Sequence, residues 1–111
     1  LKKILFVCSR NRRRSPTAEQ IFGNRSDCEV SSAGLAPDAE EMLSPEIIQW
    51  AEMIFVMEKK QRAKLSQQFS PHLKNKRVIC LDIADNYEFM QPELIDLLLA
   101  KVEPFLSGNS F

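Results

Sequence analysis

The stretch Cys8-Ser9-Arg10-Asn11-Arg12-Arg13-Arg14-Ser15 is a thiol, five residues, then an Arg-Ser pair. Five intervening residues let a loop curl round one tetrahedral anion, with its backbone N–H groups turned inward as an anion-binding nest. A helix beginning at Ser15 would add its positive end to the same point. Arg14 closes the ring with a planar fork that can hold two phosphate oxygens. Ser9, Arg10, Asn11, Arg12 and Arg13 make up the rest of the phosphate-binding loop. A Cys8 thiolate beneath a phosphoryl group held in this way is set for in-line attack. The plainer reading is a small buried cysteine followed by a solvated basic run.

Such chemistry also needs an acid to protonate the leaving oxygen. The loop from Asp82 to Gln91 offers Asp82 and Asp85. The residues alone do not choose between them, and either could equally be a loop cap or a solvated charge.

The elements around these residues alternate. Ile4-Leu5-Phe6-Val7 is a continuous apolar run and reads as a buried parallel strand ending at the basic loop. Ser15-Pro16 predicts a helix capped by Ser15, with Pro16 at its first position and an end near Gly23. Glu29 to Ala33 reads as a strand stopped by Gly34, and Leu35 to Met42 as a polar loop. Ser44-Pro45-Glu46 starts another helix, and Ile54 to Met57 is a third strand. Glu58 to Phe69 reads as an amphipathic helix with Ala63 and Leu65 inward. Arg77 to Asp82 is a fourth strand. Pro92 opens a last helix that buries Leu94, Ile95, Leu98, Val102 and Phe105, with Pro104 near its end. Alternating strands and helices predict an α/β fold: one four-stranded parallel sheet with helices on both faces; the order expected for its strands is 2-1-3-4. Ligands bind beyond the carboxyl ends of such strands. Those ends are Cys8 to Arg14, Ala33-Gly34, Met57-Glu58 and Asp82 to Tyr87, so the basic loop and the acidic loop share one edge.

Length and composition agree with this frame. A chain of 111 residues with 44% apolar content supports a single domain over residues 1–111 and leaves no room for a second. The formal net charge of +0 argues against nucleic-acid or membrane partners. The charge is nevertheless segregated: Lys2, Lys3, Arg10, Arg12, Arg13 and Arg14 precede any acid, whereas Asp82 to Glu103 holds six acids against Lys101 alone. Three cysteines without a pairing pattern, and no export signal, read as reduced thiols in a cytoplasmic protein. No apolar run approaches the roughly 18 residues of a membrane span. Cys28 and Cys80 read as small strand residues, and His72 as a loop residue with no partner pattern.

Val7-Cys8 to Arg14-Ser15-Pro16-Thr17-Ala18-Glu19 resembles the low-molecular-weight protein tyrosine phosphatases. Ser31-Ser32-Ala33-Gly34 is similar to the next signature of that family, and Leu81-Asp82-Ile83-Ala84-Asp85-Asn86-Tyr87 to its acid loop. The resemblance runs in order over nearly the whole chain. It implies a phosphotyrosine protein phosphatase I-like fold that hydrolyses phosphate monoesters, phosphotyrosine in proteins foremost, through a phosphocysteine. Cys8 would be the nucleophile and Arg14 the transition-state clamp. Asn11 would hold the loop in a strained turn with Ser32 behind it, and Ser15 would donate to the thiolate. Asp85 would be the general acid, with Asp82 supporting and Tyr87 walling the substrate. Neither metal nor cofactor is implied. The expected partner is a phosphorylated protein or small phosphate monoester.

The chain departs from the family pattern at three places. Arginines stand round Asn11 where apolar or small residues are usual, the Leu35 to Met42 segment is short, and Asn86 replaces the proline of the acid loop. Two other readings fit parts of the sequence. A phosphate-binding module without turnover would use the same loop to dock a phosphorylated partner. Arsenate reduction would need two relay thiols, and no second cysteine follows Cys80.

Overall fold

The structure, a computed structural model, describes residues 2–106. The elements in chain order are β1 (Lys2–Cys8), α1 (Arg14–Phe22), β2 (Cys28–Gly34), α2 (Pro45–Trp50), β3 (Met53–Val56), α3 (Lys59–Phe69), β4 (Arg77–Cys80) and α4 (Pro92–Leu106). A single turn of 3₁₀ helix, Ser70–His72, links α3 to β4. The strands pair in parallel, as the alternation predicts, and lie in the expected order β2-β1-β3-β4.

The central strand β1 is apolar on both faces because both are covered. Ile4, Phe6 and Cys8 point to the layer formed with Phe22 of α1 and Leu94, Leu98 and Val102 of α4. Leu5 and Val7 point the other way, onto Ile48 of α2 and Leu65 of α3. Phe6 stacks on Phe22 and Phe55, with ring centroids 5.6 and 5.3 Å apart. Each such fully buried side chain stabilises the fold by about 1.5–3 kcal/mol. The two-residue period of the strand therefore also decides that Cys8 emerges on the α1 side of the sheet.

Two helix assignments differ from the sequence reading. Helix α1 starts at Arg14 with Arg13 as its cap residue, and no side chain caps it. Ser15 lies inside the first turn because its hydroxyl is engaged elsewhere, by Cys8 and Asn11. Pro16 falls at the third helical position, where an N–H would have no intrahelical partner in any case. In α3, Ala63 is exposed and Gln61 is buried with Leu65. Gln61 is held inward because its Oε1 accepts from the backbone N–H groups of Met57 and Glu58, each at 3.0 Å. The start of α2 is as the sequence implies, with Ser44 Oγ accepting from the Ile47 N–H and Pro45 in the first turn.

The carboxyl edge is laced together. Leu35 N–H donates to the Cys8 carbonyl, Ala36 N–H to Ser9, and Glu40 N–H to Arg10, at 3.1, 2.8 and 3.0 Å. Residues 35–42 double back so that Gly34 bridges Met42. Ile83 N–H donates to the Met57 carbonyl at 2.8 Å and draws the acidic loop beside the basic one.

Candidate active site

The loop between β1 and α1 wraps the Cys8 sulfur. The backbone N–H of Asn11 donates to Cys8 Sγ at 3.1 Å, and Ser15 Oγ lies 2.9 Å from it. Asn11 adopts a left-handed backbone with φ 57°, a conformation asparagine tolerates better than most residues. Its amide Nδ2 donates to Ser15 Oγ at 2.8 Å and Ser32 Oγ at 2.9 Å. Ser32 Oγ donates in turn to Glu19 Oε1 at 2.5 Å. The direction of this chain has a consequence. Ser15 Oγ accepts from Asn11, and its own hydrogen is free to turn towards the sulfur. A sulfur facing two donors is suited to carry negative charge.

Arg14 is 2% exposed. Its Nη1 donates to Glu58 Oε1 at 2.8 Å and to the Ile83 carbonyl at 2.7 Å, and its Nε lies 3.6 Å from Asp85 Oδ1. The fold thus fixes the Nη1 corner of the guanidinium, while its Nε faces Asp85. Ser9 is steadied by Gln61, whose Nε2 donates to Ser9 Oγ at 3.1 Å.

A cavity of about 400 Å³ opens over this loop, lined by Cys8, Ser9, Arg10, Arg12, Arg13, Arg14 and Asp85. Cys8 and Arg14 are its buried members, whereas Arg10, Arg12 and Arg13 are half-exposed or more. Each of these three meets an acid: Arg10 and Arg12 face Asp38 at 3.7 and 3.8 Å, Arg12 faces Glu40 at 3.4 Å, and Arg13 faces Glu88 at 4.0 Å. A thiol, a preset guanidinium and a carboxylate around one concave volume can bind a tetrahedral anion and exchange its substituents.

The residues singled out from the sequence divide into three groups. Cys8, Ser9, Arg10, Arg12, Arg13, Arg14 and Asp85 come together at the cavity. Asn11, Ser15 and Ser32 stand behind it as one hydrogen-bonded network, so Asn11 offers its backbone rather than its side chain to the loop interior. Asp82 and Tyr87 do not line the cavity. Asp82 is exposed at a left-handed turn with φ 60°, and Tyr87 is half-buried against the layer that contains Phe6 and Leu94.

Glu58, Gln61 and Glu19 were not singled out for roles, although all three touch the site through a partner. The signal for Glu58 was its place just after an apolar strand, at the carboxyl edge. Away from the site, Cys28 is 7% exposed, and burial pushes its thiol above the usual range. Among the described residues, no cluster of His, Cys, Asp and Glu is placed to hold a metal ion, and no helix is long and apolar enough to cross a membrane.

Known proteins of the same shape share this arrangement of elements. The arginine phosphatase YwlE from Geobacillus stearothermophilus is 22% identical with a TM-score of 0.77, over 96% of this chain and 94% of that one. A low molecular weight protein tyrosine phosphatase from T. tengcongensis is 20% identical with a TM-score of 0.77, over 96% and 99%. Wzb from Vibrio vulnificus, solved with benzylphosphonate, is 20% identical with a TM-score of 0.72, over 96% and 97%. No curated protein sequence matches the chain. The model of the low molecular weight phosphotyrosine protein phosphatase family matches residues 3–84, well over half the chain. The chain therefore belongs to the low molecular weight phosphotyrosine protein phosphatase family, cysteine-based enzymes that hydrolyse phosphoric monoesters.

Proposed function

We propose that the chain hydrolyses phosphate monoesters of the O-phosphate type, aryl phosphates such as phosphotyrosine included, through a phosphocysteine on Cys8. The observation that carries this reading is the enclosure of Cys8, Arg14 and Asp85 around one cavity, with donors already set on the sulfur. The loop amides and Arg14 would hold three phosphoryl oxygens. The Cys8 thiolate attacks phosphorus, a P–S bond forms, and the bond to the leaving oxygen breaks. The Asp85 carboxylic acid gives its proton to that oxygen. Asp85, now a carboxylate, takes a proton from water as the water attacks phosphorus. The P–S bond breaks, and inorganic phosphate and the thiolate are released. Ser15 supports the thiolate, and Asn11 with Ser32 keeps Ser15 oriented.

Phosphoarginine, the substrate class named for the Geobacillus relative, fits this chain less well. Its guanidinium would enter a mouth already carrying Arg10, Arg12 and Arg13.

The test is turnover of phenyl phosphate by the wild type and by Cys8→Ser. The wild type should release phosphate and, on acid quench, carry one phosphoryl group on the Cys8 peptide. Cys8→Ser should lose turnover while still binding phosphate. Retained turnover in that variant would exclude the mechanism. Absence of turnover in the wild type, with phosphate still bound, would favour the binding-module reading.

A further inference from the structure

We propose that the mouth of the cavity is a second anion site, formed by Arg10, Arg12 and Arg13, that selects phosphate monoesters carrying a second phosphate. This inference rests on the phosphatase reading for where the first phosphate sits. Arg14 and the loop amides suffice for one phosphoryl group. The three further guanidinium groups line the same cavity and have no part in that clamp.

Their present partners are weakly held. The contacts to Asp38, Glu40 and Glu88 run from 3.4 to 4.0 Å, longer than the roughly 2.7–2.9 Å of a charge-assisted hydrogen bond. All six side chains are well exposed, and exposed pairs of this kind contribute little. Two of the acids are nevertheless kept close. Asp38 and Glu40 belong to the 35–42 segment, which is fastened to the loop by Ala36 N–H to the Ser9 carbonyl and Glu40 N–H to the Arg10 carbonyl. They act as placeholders: they balance the arginines without a ligand and yield to a group of higher charge. A phosphate brings nearly two charges and three acceptor oxygens, against one charge on a carboxylate.

The alternative basis for selectivity, stacking on a ring, is poorly represented here. No aromatic residue is among those lining the cavity. Tyr87 packs on the core, and Phe89 lies on a different groove, beside Pro16 and Val30. Selectivity through charge at the mouth is what the lining supplies.

The test uses inorganic phosphate and inorganic pyrophosphate as probes, titrated calorimetrically into the wild-type protein. Pyrophosphate should bind about tenfold tighter at low salt, and the preference should shrink towards unity near 0.5 M salt, where screening acts over a few Å. Asp38→Asn with Glu40→Gln removes the placeholders and should widen the preference about threefold, whereas Arg12→Ala should narrow it. Equal binding of the two probes at low salt, or a preference indifferent to salt and to these substitutions, would overturn the proposal. Turnover then identifies the source of the second phosphate. One arm compares resorcinol bisphosphate with phenyl phosphate. The other compares a peptide bearing adjacent phosphotyrosines with its singly phosphorylated form. A higher kcat/KM for the doubly phosphorylated member of either pair supports the site, and its absence from both overturns the proposal. Failure of phenyl phosphate turnover would defeat the phosphatase reading instead, and the pyrophosphate titration would still decide the anion site.

Discussion

Arg14 donates from a single nitrogen, Nη1, to both the Glu58 carboxylate at 2.8 Å and the Ile83 carbonyl at 2.7 Å. One acceptor follows β3 and the other follows β4, so the guanidinium is clamped by the two strand ends opposite its own loop. Its geometry is fixed before any anion arrives, which is what a transition-state ligand needs. Glu58→Ala should strip one partner from a buried cation and cost about 1–3 kcal/mol of stability, read as a lower Tm. Glu58→Gln keeps an acceptor and should cost less. Both should depress kcat on phenyl phosphate, and unchanged kcat in Glu58→Ala would remove Glu58 from the positioning of Arg14. Arg14→Lys should be the most severe of the three, about 10²-fold or more in kcat, because an ammonium has no planar fork.

Gly34 marks where β2 passes under the phosphate loop. A Cβ there would stand 2.6 Å from the Ser9 carbonyl oxygen, 2.7 Å from Ala39 Cβ and 3.0 Å from the Asn11 N. Two of these three are backbone atoms of the loop itself, so they cannot swing aside like a side chain. Gly34→Ala should therefore cost about 1–3 kcal/mol by overpacking. It should also weaken phosphate binding in protein that remains folded. A folded variant with wild-type phosphate affinity would show that the loop tolerates the displacement.

The thiols should separate in alkylation. Cys8 lines the cavity, and Cys28 does not. Burial raises the Cys28 thiol above its ordinary value, so at neutral pH it stays protonated. Iodoacetamide at pH 7 should label Cys8 first, and inorganic phosphate should slow that labelling. Peptide mass spectrometry showing Cys28 or Cys80 modified first in folded protein would contradict the arrangement.

The parallel sheet and the placement of Cys8 were legible because they follow from period and alternation, which are local properties. The part of the site beyond the phosphate loop was less so. Ser15-Pro16 has the local signature of a helix cap, yet the Cys8 sulfur and the Asn11 amide compete for the hydroxyl and win. The role of Glu58 depends on β3 lying beside β1 in a register that pairs Val7 with Val56, and no window of sequence contains that pairing. Tyr87 follows the acid-loop motif, but its partial burial depends on the packing of Phe6, Leu94 and their neighbours, which lie far from it in sequence.

Asp82 and Asp85 are equivalent in type and only three residues apart, and the chain path between them separates their positions. Ile83 is buried and its N–H is tied to Met57, which anchors the loop between the two acids. Asp85 then reaches the cavity and lies 3.6 Å from Arg14 Nε, whereas Asp82 is turned out at φ 60°. A general acid matters most when the leaving group is poor. Asp85→Asn should therefore slow phenyl phosphate by about 10²-fold while slowing nitrophenyl phosphate much less. Asp82→Asn should slow neither selectively. A second readout comes from the charge beside Arg14. Removing the Asp85 carboxylate also removes a competitor for the guanidinium, so KM should stay level or fall as kcat drops. A selective loss in Asp82→Asn would move the acid three residues earlier, and a rise in KM with kcat preserved in Asp85→Asn would make Asp85 a binding residue and not a proton donor.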